Sequence, residues 1–346
     1  MTVPTIPKVS NGAGKRRPTI DDVAEAAGVS RGTVSRVLNG GRWVSPDAHA
    51  SVTAAIKRTG YRINVQARSL ATSRTGTVAF LLTEPHDLLF EDPNFSILMR
   101  FAADALARDD ISLVLIMASN ADEQRRALDF LGAGHVDGVL LVSSHSGGQG
   151  FVGAINRLGL PAIACGAPIG FERTMGWVAA DEEQGARTAT EYLQQIGRRR
   201  IALIAGPQDT SGGQQRLAGY RAALDGAFDE SLVAIGDYGR SSGARAMHEL
   251  LERRPDLDAV FAANDRMAAA ALGVLQASGR AVPDDVAVVG FDDSPAALET
   301  SPTITTMRQP FERISREMVR LLVGEIGGER PAAITIPTEL VIRESA

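Results

Sequence analysis

A single cysteine, Cys165, among 346 residues excludes an intrachain disulfide and any cysteine-rich zinc site. Its setting, PAIAC at 161–165, reads as a small apolar strand, so a buried, inert thiol in a reducing compartment is expected. No stretch approaches about 18 continuous apolar residues, and the opening MTVPTIPKVSNGAGKRRP has no apolar core of signal-peptide length. A cytoplasmic protein without a membrane span is expected. His49, His86, His135, His145 and His248 have no paired spacing for a metal, so no metal and no cofactor are expected. GAGKR at 12–16 looks like the end of a phosphate-binding loop, but no strand precedes it and Arg16 stands in the Ser/Thr place. Ser143-Ser144-His145-Ser146 sets serines beside a histidine, which reads as a polar loop at a strand end rather than a catalytic pair. Aromatics are few at 5%, and 44% hydrophobic with 22% charged residues is the composition of an ordinary globular protein.

What the chain does have is charge segregated by position. Met1 to Arg74 carries 12 Lys+Arg against 4 Asp+Glu, net +8, while the remainder carries 24 against 37, net −13. Basic charge confined to one end is the footprint of a polyanion binder, although a solvated helix face would account for any one charge run by itself.

Within that basic end, TIDDVAEAAGVSRGTVSRVLN (19–39) reads as two short helices about a tight turn, a helix-turn-helix. Thr19 and Ser30 are N-cap residue types, and Ala27-Gly28-Val29 provides a small residue, a glycine free to take positive φ and an apolar plug. Ile20, Val23, Ala24 and Ala27 share one face, and Val34, Val37 and Leu38 another. The polar remainder of the second helix, Arg31, Gly32, Thr33, Ser35, Arg36 and Asn39, is the set that meets phosphates and base edges in a major groove. A third helix is expected from the Ser45 cap and Pro46 to Gly60, with Val52, Ala55 and Ile56 inward. Residues 1–17 read as a flexible basic tail ahead of this domain.

From Thr77 the pattern changes. Apolar runs at 77–82, 111–118, 136–142 and 161–165 alternate with helical stretches near 95–108, 121–131 and 151–158. A second series has strands at 200–206, 232–236, 258–263 and 286–291 with helices near 182–196, 214–226, 242–253 and 265–278. Two such series imply two α/β lobes with parallel sheets. The tail returns through a helix (311–325) to one last strand (332–341), so the chain is expected to cross between lobes several times. A ligand cleft would lie between them at the carboxyl ends of the strands.

DVAEAAGVSRGTVSRVLN, the connecting segment NVQARSLAT (64–72), the run VFAANDRMAAAALGVL and VPDDVAVVGFDDSP (282–295) together resemble the LacI/GalR family of ligand-responsive regulators, over Arg17 to about Ile342. The resemblance implies an all-α three-helix helix-turn-helix head (18–62), a hinge helix (63–74) and an α/β periplasmic-binding-protein-like core of two Rossmann-like lobes (75–346) that also dimerises. It places Arg31, Gly32 and Arg36 on base edges and Ser30, Thr33, Ser35 and Asn39 at phosphate-binding or register-setting positions. Thr19, Ser45, Tyr61, Asn64 and Ala67 complete the DNA-facing set, and Leu70 sits where a leucine is levered into the minor groove. A helix of about seven residues cannot persist alone in water, so this segment would form only on a dimer with DNA. Departures are Ile63 where proline is usual, and Ala48 and His49 in place of a hydroxyl and a guanidinium.

In the core, the resemblance marks Phe95, Arg216, Tyr238, Asn264 and Asp292 as effector-binding residues, with Arg216 expected to open a helix. An aromatic face with planar groups able to grip adjacent hydroxyls suits a sugar. Gly166 stands where sugar-induced relatives carry an aspartate. The segment TEPHDLLFEDPNFSILMR (83–100) resembles that of the cellobiose-responsive repressors, pointing to a disaccharide or short oligosaccharide such as a β-glucoside. The expected protein is a non-enzymatic, sugar-released repressor that binds palindromic double-stranded operator DNA as a homodimer. A corepressor-dependent or activating regulator, a transport solute-binding protein and a sugar-acting enzyme are the other classes. Transport would need an export signal and has no use for the basic head; an enzyme needs a convergent acid/base or nucleophile set.

Overall fold

The computed structural model describes residues 18–38, 44–61, 74–146 and 149–346 and divides the chain into two compact units, Met1–Thr75 and Gly76–Ala346.

The first unit holds α1 (Ile20–Ala27), α2 (Arg31–Leu38) and α3 (Pro46–Thr59). Thr19 and Asp22 cap α1 reciprocally, the Asp22 carboxylate accepting from the Thr19 N–H at 2.6 Å and the Thr19 hydroxyl accepting from the Asp22 N–H. Gly28 ends α1 at φ +66°, where its N–H reaches the carbonyls of Ala24 and Glu25 and where a Cβ would be strained. Ser45 caps α3 with Pro46 in its first turn. Val23, Ala24, Val34, Val52 and Ala55 form the small core, with Val37, Leu38 and Ile56 packed at its edge. Arg58 ties α3 to the end of α1 by donating to the Ala26 carbonyl. Asn39, Asn64, Ala67 and Leu70, the expected tail over 1–17 and nearly all of the expected hinge lie outside the described residues.

The second unit is two lobes. The first sheet runs β11-β5-β4-β3-β1-β2, all parallel, from β1 (Thr77–Leu82), β2 (Ser112–Met117), β3 (Gly138–Val142), β4 (Ala162–Cys165), β5 (Gly176–Ala180) and β11 (Ala333–Ile336). The inner strands β1, β3, β4 and β5 are apolar on both faces because both are covered, while the edge strands β2 and β11 stay partly exposed. Val78, Phe80 and Leu82 pack toward α5 (Pro93–Ala107) and α12 (Phe311–Ile326), while Ala79 and Leu81 face α6 (Ala121–Gly132) and α7 (Gln149–Arg157). A short helix, α4 (His86–Glu91), precedes α5.

The second sheet repeats the order as β12-β10-β9-β8-β6-β7, from β6 (Ile201–Ala205), β7 (Val233–Ile235), β8 (Ala259–Ala262), β9 (Ala287–Asp292), β10 (Thr305–Arg308) and β12 (Glu339–Val341), only β10 and β12 being antiparallel. Its helices are α8 (Glu182–Gln195), α9 (Ser211–Leu224), α10 (Arg240–Arg253) and α11 (Asp265–Ala277). Among the described residues the chain passes between lobes at Asp181, at Gln309–Pro310 and at Pro337–Thr338.

Two expectations need correction. The single strand at 332–341 is two strands in different sheets, because Pro337 has no N–H to continue a ladder. Arg216 does not open its helix: α9 begins at Ser211, capped by Thr210, and Arg216 lies in the second turn. Of the two glycines that mimic a loop there, Gly213 is needed for packing, since a Cβ on it would fall 2.0 Å from the Pro207 carbonyl oxygen. The strands β5 and β10 were not anticipated.

Candidate functional site

A cavity of about 950 Å³ opens between the lobes, at the carboxyl ends of both sheets. Phe95, Arg216, Tyr238, Asn264 and Asp292 all line it, and so do Gly166 and Cys165.

Arg216 is one of two buried arginines that line the site, with Arg266 the other. Its Nε donates to Glu182 at 2.6 Å, its Nη1 to the Ala263 carbonyl, and its Nη2 lies 3.5 Å from Asp292, with the guanidinium stacked 3.8 Å over the Phe291 ring centroid. Burial opposes the charge, but Glu182, Tyr238 and Asp292 around it hold the guanidinium above its ordinary value. Glu182 takes the shorter contact, so Asp292 is only partly compensated. Burial pushes the Asp292 carboxyl well above the usual carboxylate range, with Arg216 pulling the other way. Asp292 sits at the end of β9 at φ +108°, and Asp293 follows at +58°. That bend aims Asp292 inward, where it accepts from Asn94 at 2.8 Å and Gln309 at 2.6 Å. Asp293 instead pairs outward with Arg308 and Arg343.

Asn264 caps α11, its Oδ1 accepting from the Met267 N–H at 2.9 Å while its Nδ2 donates to the Tyr238 carbonyl at 3.0 Å. Its amide therefore fixes Tyr238, itself at φ +67°. The Tyr238 ring lies over Gly206, where a Cβ would come within 2.5 Å. Phe95 adds a half-buried aromatic from α5. Gly166 takes φ +83°, a conformation that an aspartate would adopt only under strain. Desolvation at the end of β4, with the Glu182 charge near, pushes the Cys165 thiol up to about 12, so it is protonated at neutral pH.

Sequence reasoning missed Asn94, Glu182, Gln309, Arg266 and the pair His145–Asp209. Asn94 and Arg266 lay inside quoted motifs, FEDPNFS and ANDRM, but nothing local marks their partners. His145 is no passive loop residue. Its Nε2 lies 2.9 Å from Glu84 in the same lobe and its Nδ1 2.9 Å from Asp209 in the other. Both ring nitrogens face carboxylates, which only the imidazolium can satisfy. The Glu84 hydrogen bond outweighs desolvation and, with Asp209, raises its pKa to about 9.

On the head, Arg31, Gly32 and Arg36 are exposed along α2. Arg36 Nε rests on the Gly32 carbonyl at 3.3 Å and Arg31 approaches Asp21 at 3.8 Å, both loose contacts that a polyanion could displace. Ser30 caps α2, accepting from the Thr33 N–H at 3.1 Å and sharing a hydrogen bond with the Thr33 hydroxyl. Ser35 and Tyr61 are half-buried, and Thr19 and Ser45 are the caps described above. Among the described residues no helix is long and apolar enough to cross a membrane.

The family of bacterial regulatory proteins, lacI family, matches residues 19–64, and the periplasmic binding protein-like domain matches 190–346. The chain is 46% identical to the HTH-type transcriptional regulator CelR of Thermobifida fusca, over 96% of this chain and 99% of that one. It is 32% identical to the ribose operon repressor of Halalkalibacterium halodurans, over 94% and 96%. Among solved structures, a transcriptional regulator CelR–cellobiose complex matches with a TM-score of 0.77 at 45% identity, covering 95% of this chain and all of that one. The Lac repressor dimer bound to operator and the anti-inducer ONPF matches with a TM-score of 0.82 at 27% identity, over 95% and 99%. With a capped helix-turn-helix head, two lobes around a cleft and relatives matched almost end to end, the chain belongs to the LacI family of transcriptional regulators.

Proposed function

We propose that this regulator is a repressor that binds a palindromic operator as a homodimer and is released from it by cellobiose or a closely related β-glucoside disaccharide held in the interlobe cleft. The observation that carries the reading is the lining of that cleft. A stacked arginine, an inward-turned aspartate and the three amides of Asn94, Asn264 and Gln309 sit beside Phe95, Tyr238 and Phe311, a set suited to hydroxyls on one side and a sugar ring face on the other. The similarity to CelR, and to a structure in which CelR holds cellobiose, supports the choice of sugar.

In this reading 18–62 is the DNA-binding domain, 63–74 the hinge and 75–346 the effector-binding and dimerisation domain, with 1–17 a basic tail. Arg31, Gly32 and Arg36 read base edges, and Leu70 wedges into the minor groove. A ligand alters DNA affinity only by binding one lobe arrangement better than another. Cellobiose therefore acts by favouring an arrangement incompatible with operator binding. The role is regulatory rather than enzymatic, exercised inside the cell where the operator is.

Titrating the full chain onto operator DNA with and without cellobiose, glucose and ribose tests this. Release by cellobiose alone is expected. Release by ribose, or tighter DNA binding in cellobiose, would replace the proposed effector or its sign.

A further inference from the structure

We propose that Asp265 is a positioning residue for the effector site: from outside the cavity it holds the turn after β9 in the shape that aims Asp292 at the ligand, with Thr306 as its relay. The inference rests on the sugar-effector reading above and adds to it two residues that never touch the sugar.

Asp265 is the first residue of α11 and is fully buried, yet it does not line the cavity. Burial pushes its carboxyl above the usual carboxylate range, against the hydrogen bonds from Thr306 and Ser294 that favour the charge. Capping does not account for a carboxylate there, because Asn264 already caps α11. Its two oxygens reach out of the helix instead. Oδ2 accepts from the Ser294 N–H at 2.6 Å, and Oδ1 accepts from the Thr306 hydroxyl at 2.5 Å. The Thr306 oxygen in turn accepts from the Asp293 N–H at 3.4 Å. A Cβ on Gly290 would collide with Oδ1, so the carboxylate lies against the strand entering the turn as well as the residues leaving it.

Between those points lie Asp292 at φ +108° and Asp293 at +58°. Residues other than glycine keep such a backbone only where their surroundings over-determine it. Here the N–H groups of Asp293 and Ser294 are fixed by the Asp265–Thr306 pair, and the Asp292 carbonyl accepts from the Gln309 N–H at 3.3 Å just beyond β10. Thr306 stands opposite Gly290 in the β9–β10 ladder, so the same pair also seats β10, and with it Gln309, whose amide donates to the Asp292 carboxylate at 2.6 Å. Without the pair the bend relaxes, and the Asp292 carboxylate loses its inward aim.

The test is calorimetry with cellobiose on the full chain, comparing wild type with Asp265→Ala, Thr306→Val and Thr306→Ser, each made also in an Asp292→Ala background. Thermal unfolding verifies that each variant folds, and Thr306→Val, which keeps the side-chain shape, carries the test should Asp265→Ala not fold. Asp265→Ala and Thr306→Val should each lose about tenfold or more in affinity, because a misaimed Asp292 forfeits a charged hydrogen bond. Thr306→Ser keeps the hydroxyl and should stay near wild type. With Asp292 truncated there is no carboxylate to aim, so the same changes should cost less than about twofold. Unchanged affinity would make the pair a brace for the fold alone, and equal losses in both backgrounds would mean that it acts on some other part of the cleft. Either result overturns the inference and leaves the sugar reading standing. Wild type that binds no cellobiose overturns both.

Discussion

His145 and Asp209 meet across the mouth of the cleft, the imidazole Nδ1 donating to the carboxylate at 2.9 Å, with the Ser146 N–H donating to the Asp209 carbonyl at 2.6 Å beside it. A charged clasp thus joins the loop after β3 to the loop after β6. Its pKa of about 9 against an ordinary 6.5 sets a pH window. A histidine raised on folding contributes its full stabilisation below about pH 6.5 and loses it as pH rises through about 9. Wild type should therefore melt above His145→Gln near neutrality, with the gap closing on the alkaline side of 9. Paired melting curves across that window check this; a gap unchanged at high pH would mean that packing, not charge, holds the loops.

Arg216→Ala should damage the fold as well as the site. It would strand Glu182 and Asp292 in the cleft wall without their shared cation. Breaking a buried ion pair from one side costs about 3–5 kcal/mol, so the core should melt on the order of 10 °C lower. Asp292→Asn is the cleaner probe of binding, since it removes a poorly compensated charge and keeps the shape. It should melt near wild type while weakening cellobiose by about tenfold or more. Thermal unfolding and calorimetry on both variants separate the two effects, and loss of fold in Asp292→Asn would contradict this division of roles.

Arg36→Ala should relax base preference. Among the described residues its side chain is held by a contact to Gly32 within α2, so little fold is lost. Removing one base-reading arginine costs about 1–3 kcal/mol at its position. Binding selection on randomised operators should return a palindrome for wild type and a site degenerate at one symmetric position for the variant. Unchanged preference would place base reading elsewhere on α2.

Leu70→Ala should separate specific from non-specific binding. A wedge contributes only where the duplex can unstack, so operator affinity should fall while affinity for random DNA stays nearly constant at fixed salt. Equal losses on both would assign Leu70 a purely structural part.

The parts of this molecule that were legible in its sequence are those set by neighbours in the chain. Thr19, Ser30 and Ser45 declare their helix starts because a cap acts over three residues. The doubly covered strands declare themselves as unbroken apolar runs. By contrast β10 reads TTMR and is a strand only because β9 and β12 flank it. Much the same holds for β5, GWVAA, which a glycine and a tryptophan disguise. In the cleft, a family motif marks Arg216 and Asp292, but their physical partners are remote. Glu182 is 34 residues from Arg216, and Asn94 is 198 from Asp292. No local pattern encodes a contact at such range, which is why the amide of Asn94 and the buried guanidinium of Arg266 emerge only from the folded chain.

The three interlobe crossings have a mechanical meaning. Asp181 donates its N–H to Ile336, just before the Pro337–Thr338 crossing, and Glu339 beyond it pairs with Arg308, just before the Gln309–Pro310 crossing. The hydrogen bond and the strand pairing thus tie the three crossing ribbons to one another. Glu182 and Gln309, immediately beside two of those ribbons, also line the cavity. A ligand in the cavity would therefore sit beside the very segments that a hinge motion between the lobes has to bend.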